Sequence, residues 1–388
     1  MASSMEDDIP PLDALTMRPD GDVVYLPICD SISSMPPRPH FSFGNHDNDA
    51  MGEYCSEAYR GSAGLYIAAN IGLFERALLF RGDTVLRCDK IGVTRANVSK
   101  FLPLWRSMSS RMRTREENGT CVLLLGRGYH VWGHWLIDFL PKLYILEKAG
   151  YDLTKLRYLV PENTPAFGIE ILDLVGITAE RRIVYNQEFE FVRPGELLIP
   201  TLVRTGNRPC LAFKDAMGFV TSLVRSRQPS SAIRDDMKRI FVSRGLLNTT
   251  SRRLLNRDRI ERIATGSGFV IVHPETLPPH EQFALFANAD RIAGDYGSAL
   301  HTSIFSDTTT SVCALRGTGT LPGFVQSAIG DALGQPTGYV FGEMATGDPT
   351  ESFTISEAAF EDYLNLTFNG ETRSPAISET EPIGPKAK

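Results

Sequence analysis

From Cys121 onward the chain alternates short apolar runs with longer stretches in which apolar residues recur at helical spacing. Runs of strand length between segments of helix length predict βαβ units around a parallel sheet. The first series reads as a strand at Cys121–Leu125, a helix from about Gly133, a strand at Arg157–Val160, a helix over Phe167–Val175 and a strand at Arg182–Tyr185. A Pro- and Gly-containing passage, Val192–Pro209, leads into a connecting helix at Leu211–Arg225. The pattern then repeats. Strands are expected at Arg239–Ser243, Phe269–Val272, Arg291–Ala293 and Ser311–Leu315, and helices near Asp258–Thr265, Pro279–Ala289 and Ala299–Phe305.

This grammar predicts an α/β protein of two Rossmann-like, doubly wound lobes with a cleft between them, ligands lying beyond the carboxyl ends of the strands. Residues 1–60, broken by Pro10-Pro11, Pro36-Pro37 and Pro39, read as an extended arm. The expected divisions are an N-terminal lobe at 61–209, a connecting segment at 210–237, a second lobe at 238–345 and a terminal segment at 346–388. The last twenty residues of that segment form a polar tail. A length of 388 residues accommodates two lobes, each with its own core.

Composition narrows the classes. Continuous apolar runs are of strand length at most, far short of the ~20 residues that span a bilayer. The acidic N-terminus lacks the layout of a secretory leader. A cytoplasmic protein, at most peripheral to a membrane, is the expectation. The six cysteines stand singly and are expected to be free thiols. Net charge is −6, yet Arg225–Arg262 carries eleven basic residues against four acidic ones, a local +7. An anion is expected there, and a small phosphorylated ligand suits the overall negative charge better than a nucleic acid.

Three groups of residues could carry chemistry. His134 and Asp138, four apart on a helix that starts at a strand's carboxyl end, share one face and could deprotonate a hydroxyl; the same pair could equally be a structural contact that fixes the helix. His130 and His134 form H-x-x-x-H with no third ligand in sequence reach, so no metal site is expected. Arg244 follows a strand and can grip two phosphate oxygens, with Arg253 and Asn256 close by; Arg252, Arg257, Arg259 and Arg262 read as a solvated face. In Gly294–Thr302 a strand meets Gly297 and then a helix. Ser298 could cap that helix, and the amides of Ala299 and Leu300 could cradle a phosphate.

Taken in order, Val242-Ser-Arg244, Arg253, Asn256, Gly268-Phe-Val-Ile-Val, Pro274-Glu275, Glu281-Gln282, Ala289-Asp290 and Gly297-Ser-Ala-Leu300 resemble the carboxyl-terminal lobe of the family 61 glycosyltransferases. His134, Asp138 and Leu140-Pro141 resemble that family's H-x-x-x-D and following L-P. The resemblance implies a GT-B architecture and an inverting transfer that needs no D-x-D metal and no cofactor. The donor would be a nucleotide sugar, UDP-linked, and the acceptor a glycan or glycolipid. It further implies that Arg244 and Gly297, Ser298, Ala299 and Leu300 hold the diphosphate, that Arg253 and Asn256 shape that site, and that Glu275 and Gln282 lie near the nucleoside. Asp138, helped by His134, would be the base.

The chain departs from the family pattern twice, with Tyr296 where many relatives have His and Asn256-Arg257 where they have Asn-Glu. Tyr296 could still donate to a phosphate oxygen. A role in capsule or surface polysaccharide synthesis follows from the resemblance, and a homodimer is compatible with it. Two other readings remain at this point: a protein that binds nucleotide sugars without turning them over, and an arginine-rich nucleic-acid-binding protein.

Overall fold

The computed structural model describes residues 9–18, 21–34, 39–45, 51–52, 54–75, 77–227, 237–247, 252–318, 323–345, 347–348 and 350–368. The expected polar tail lies outside them. The fold is α/β, built on two large sheets.

The first sheet contains a parallel run of Arg182–Tyr185, Arg157–Pro161, Arg113–Val122 and Glu190–Pro200, so the chain order of these four strands is 3-2-1-4 across the sheet. Ala63–Ala69 and Val23–Cys29 extend it antiparallel, and Gly72–Phe74, Leu78–Arg81 and Thr84–Leu86 add a meander. This sheet is therefore mixed rather than wholly parallel. Two strand readings need correction. The strand expected at Cys121–Leu125 begins at Arg113, because its first half is polar and only its last two residues are buried. The passage Val192–Pro209, read as a connection, opens within the strand Glu190–Pro200. Pro194 and Gly195 sit where its register shifts against Arg113–Val122, a bulge that tolerates a residue without an N–H.

Four strands of the second sheet follow the expected pattern to within two residues, and a fifth, Thr337–Met344, was not expected from the sequence. The sheet's five main strands are parallel in the order Val270–Val272, Arg239–Val242, Arg291–Asp295, Ser311–Gly317 and Thr337–Met344, which is 2-1-3-4-5 in chain order. Successive side chains on a strand face opposite ways. Accordingly Ile240, Val242, Ile292, Val312 and Ala314 pack on one face with Leu285, Phe286 and Ala328. Phe241, Ala293, Cys313 and Leu315 pack on the other with Ile260, Ala264, Phe360 and Tyr363. Residues of the expected N-terminal arm are built into both sheets, Val23–Cys29 into the first and Phe41–Gly44 into the second.

One apolar cluster joins the two halves. The helix Phe213–Arg225 buries Phe213, Ala216, Met217, Val220 and Val224, the spacing of a single helical stripe. These residues share a core with Trp135 and Leu136 from the first half and with Phe283, Ile304 and Phe305 from the second.

Candidate active site

In a doubly wound sheet the ligand crevice opens where strand order reverses, outside the carboxyl ends of the two diverging strands. Both sheets have such a point. In the first it falls between Arg113–Val122 and Glu190–Pro200, and a cavity of about 790 Å³ lies there, lined by Arg127–Gly128, His130–Val131, His134, Asp138–Phe139, Leu202 and Arg204–Gly206 among others. That volume lies within the ordinary range for small-molecule sites. In the second it falls between Arg239–Val242 and Arg291–Asp295, which puts Arg244 and Gly297 on the same rim.

The helix expected from Gly133 is broken into a turn at Trp132–His134, a π-helical turn at Trp135–Phe139 and an α-helix at Lys142–Lys148. Pro141 has no N–H to give, and its ring would collide with a carbonyl one turn back in a regular helix. The wider turn relieves this, with the Leu140 amide bonding to the Trp135 carbonyl at 3.0 Å. Trp135 anchors the turn from below, fully buried, its indole N–H donating to the Tyr129 carbonyl.

The shared face predicted for His134 and Asp138 is present. His134 Nδ1 lies 2.5 Å from Asp138 Oδ2. Asp138 is 3% exposed, whereas the His134 side chain is 39% exposed and opens onto the cavity. A third residue, which sequence reasoning missed, completes the set. Arg204 donates from Nε to Asp138 Oδ1 at 2.6 Å and from Nη2 to Oδ2 at 2.7 Å. Burial would raise the Asp138 carboxyl, but the His134 hydrogen bond and the Arg204 guanidinium outweigh it and hold the group below its ordinary value. Both carboxylate oxygens are committed, Oδ1 to Arg204 and Oδ2 to Arg204 and His134, and the imidazole meets the carboxylate through Nδ1. Gly128, at φ +86°, makes room for the ring: a Cβ there would stand 2.5 Å from His134 Cδ2 and 2.9 Å from Nε2. Behind the pair, Lys142 is buried with Nζ donating to the Leu124 carbonyl, and burial pushes its ammonium down to about 8.

At the second rim, the Arg244 amide donates to Asp295 Oδ2 at 3.0 Å. The Arg244 side chain lies over Gly297, where an added Cβ would meet it at 3.6 Å. Gly297 is fully extended, a conformation open to any residue, so neither strain nor crowding demands glycine there. What the missing side chain gives is bare backbone at the rim. Among the described residues, Arg244 Nη1, Asp295 Oδ1 and His273 Nδ1 are buried without a hydrogen-bond partner, three polar atoms at the carboxyl edge of the second sheet. Buried polar groups in folded proteins are paired as a rule, so these three atoms stand out. Burial, with Arg252 near, lowers the Arg244 guanidinium, while Asp295 and Glu275 oppose that.

The other candidates divide. The helix Ser298–Phe305 starts at the rim as a 3-10 helix, but Ser298 makes no side-chain cap and the Leu300 amide bonds to the Gly297 carbonyl at 3.0 Å. The amides left for an anion are those of Ser298 and Ala299, one residue earlier than expected. Asn256 exchanges two hydrogen bonds with the Ile355 backbone, and Gln282 donates to the Leu277 carbonyl, so both amides hold local structure. Arg253 and Glu275 are exposed. Tyr296 is buried with its hydroxyl accepting from the Val325 amide. Arg257, read as part of a solvated face, instead reaches Asp295 and Ser243. The only sequence hint of this was its place one residue after Asn256, at the helix start.

The two rims adjoin. A Cβ on Gly133, the neighbour of His134, would come within 2.9 Å of both Ser298 Oγ and His301 Cδ2, and the Trp132 indole donates to Thr302 Oγ1 at 3.0 Å. Among the described residues no three His, Cys, Asp or Glu side chains gather as a metal site, and no helix is long and apolar enough to cross a membrane.

Residues 132–313, which carry nearly all of this machinery, match the family model described as Glycosyltransferase 61. That segment is a glycosyltransferase family 61 domain, and the protein is a glycosyltransferase. No curated protein matches the chain.

Proposed function

We propose that the protein moves a sugar from a nucleotide-sugar donor, UDP-linked, to a hydroxyl of a glycan acceptor by one inverting displacement. The arrangement is GT-B-like, with the donor diphosphate at the Arg244–Gly297 rim and the acceptor in the cavity beside His134. In this reading the acceptor hydroxyl oxygen attacks the anomeric carbon and the bond from that carbon to the diphosphate oxygen breaks. The hydroxyl proton passes to His134 Nε2, and Asp138, fixed by Arg204, steadies the imidazolium that forms. The charge released on the diphosphate meets Arg244 and the Ser298 and Ala299 amides, which are preorganised to receive it. Because those groups supply the compensating charge, the reaction is proposed to be metal-independent.

The observation that carries this reading is the packing of Gly133 against Ser298, which sets the candidate base beside the start of the anion-binding helix. The family pattern further suggests capsule or surface polysaccharide synthesis in the cytoplasm. Incubation with a panel of nucleotide sugars and acceptor glycans, with and without a chelator, tests the proposal. A product of inverted anomeric configuration, formed equally in both, is expected. Retained configuration, or activity that vanishes with chelation and returns with magnesium or manganese, would refute it.

A further inference from the structure

The cavity beside His134 is more basic than the molecule around it. The chain carries −6 overall, yet the lining includes Lys90, Arg127 and Arg204. Its two carboxylates are already paired, Asp138 with Arg204 and Asp89 with Arg87. Arg127 is not: among the described residues it has no carboxylate partner, its guanidinium lies 4.5 Å from the Phe101 ring centre, and Nη1 is buried with no hydrogen-bond acceptor. Lys90 is held loosely, 3.9 Å above the Tyr25 ring and 3.5 Å from the half-exposed Asp13. Leaving a partly desolvated guanidinium unpaired is costly, and the fork of its donors fits a carboxylate or a phosphate. On the same wall stands Tyr59, 57% exposed, an aromatic face of the kind on which a sugar ring can rest.

We infer that the acceptor is an acidic saccharide, its ring against Tyr59 and its anionic group, a carboxylate or a phosphate ester, bound by Arg127 and Lys90. This rests on the glycosyl-transfer reading for the word acceptor, but the binding itself does not depend on turnover. The anion sets the register of the sugar chain, and so decides which hydroxyl lies against His134. A neutral glycan would leave Arg127 without a partner and would bind in several registers.

Calorimetric binding to the full chain tests this with three probes: a disaccharide ending in glucuronic acid, its methyl ester, and a disaccharide ending in a sugar 6-phosphate. At least one charged probe should bind ten- to a hundredfold tighter than the ester, and the tighter of the two identifies the anionic group. Arg127→Gln should abolish that preference while still binding uridine diphosphate, which confirms that the variant is folded. If Arg127→Gln does not bind the nucleotide, Lys90→Gln serves in its place and should narrow the preference at least threefold. Equal affinity for all three probes, or a preference that survives in a folded variant, overturns the inference. Donor turnover is read separately: acid-selective binding with no consumption of any nucleotide sugar would refute glycosyl transfer and leave the anion site standing.

Discussion

Replacing Arg204 by Gln removes a guanidinium that makes two short bonds, 2.6 and 2.7 Å, to a carboxylate only 3% exposed. Glutamine reaches less far and carries no charge, so Asp138 is left ionised and buried with His134 as its remaining partner. Breaking a buried pair from one side costs about 3–5 kcal/mol. The sign of the pH dependence follows from the Asp138 carboxyl, held below its ordinary value in the folded chain. A depressed carboxyl contributes stability that is present above its unfolded pKa and lost as the pH falls through the folded one. The difference between wild type and Arg204→Gln should therefore be full at neutral pH and should shrink as the pH drops below about 4. Urea midpoints and slopes measured at pH 7, 5 and 3.5 give the comparison. The double variant Arg204→Gln/Asp138→Asn should lose much less than the two single losses combined, since it leaves no unpaired charge. A cost under about 1 kcal/mol, or one that does not change with pH, would show that Arg204 does not hold Asp138 as the geometry implies.

Three further outcomes are expected. Gly128→Ala places a methyl against the His134 ring at a positive-φ position, so the turnover rate should fall at least tenfold while uridine diphosphate affinity is unchanged; a wild-type rate would mean the ring has freedom the structure does not display. Arg244→Ala should weaken nucleoside diphosphate binding ten- to a hundredfold, for a charge-assisted contact of about 1.5–3 kcal/mol, and an unchanged dissociation constant would remove Arg244 from the site. His301 is held down to about 4 by burial, even with its bond to Gln326. The unfolded chain takes up that proton first, so stability should fall as the pH drops from about 6.5 to 4; His301→Asn should show a shallower decline in thermal midpoint over that window, and parallel curves would refute the assignment.

Four strands of the second sheet could be read from the chain because they form apolar runs, whereas Thr337–Met344, interrupted by Gly338 and Gly342, could not. Ile240–Val242 and Val312–Leu315 are unbroken apolar runs, the form a parallel strand takes between two helical layers. The first sheet resisted the same reading for two reasons. Arg113–Gly119 is polar and exposed or half-buried, so it has no apolar run to betray it, and Pro194-Gly195 signals a turn while sitting at a bulge. Missing Glu190–Pro200 also hid the point where the first sheet's strand order reverses, and with it the cavity. His134 and Asp138 were legible because four residues on a helix fix their proximity. Arg204 was not, since 66 residues separate it from Asp138 and only the hairpin of Arg204–Thr205 with Arg208–Pro209 brings it in. Asn256 and Gln282 fit the family pattern by sequence, but their amides answer to backbone groups at Ile355 and Leu277. Side-chain type and spacing say nothing about such partners.

The central claim, that His134 is the base of the transfer, is tested most directly by His134→Ala assayed with and without added imidazole. With saturating donor and acceptor, the account predicts a turnover rate lower by roughly 10²–10⁴, an unchanged affinity for uridine diphosphate, and partial recovery as imidazole enters the half-exposed space the side chain vacates. A folded His134→Ala protein that keeps the wild-type rate would contradict the account and return the proton transfer to another group.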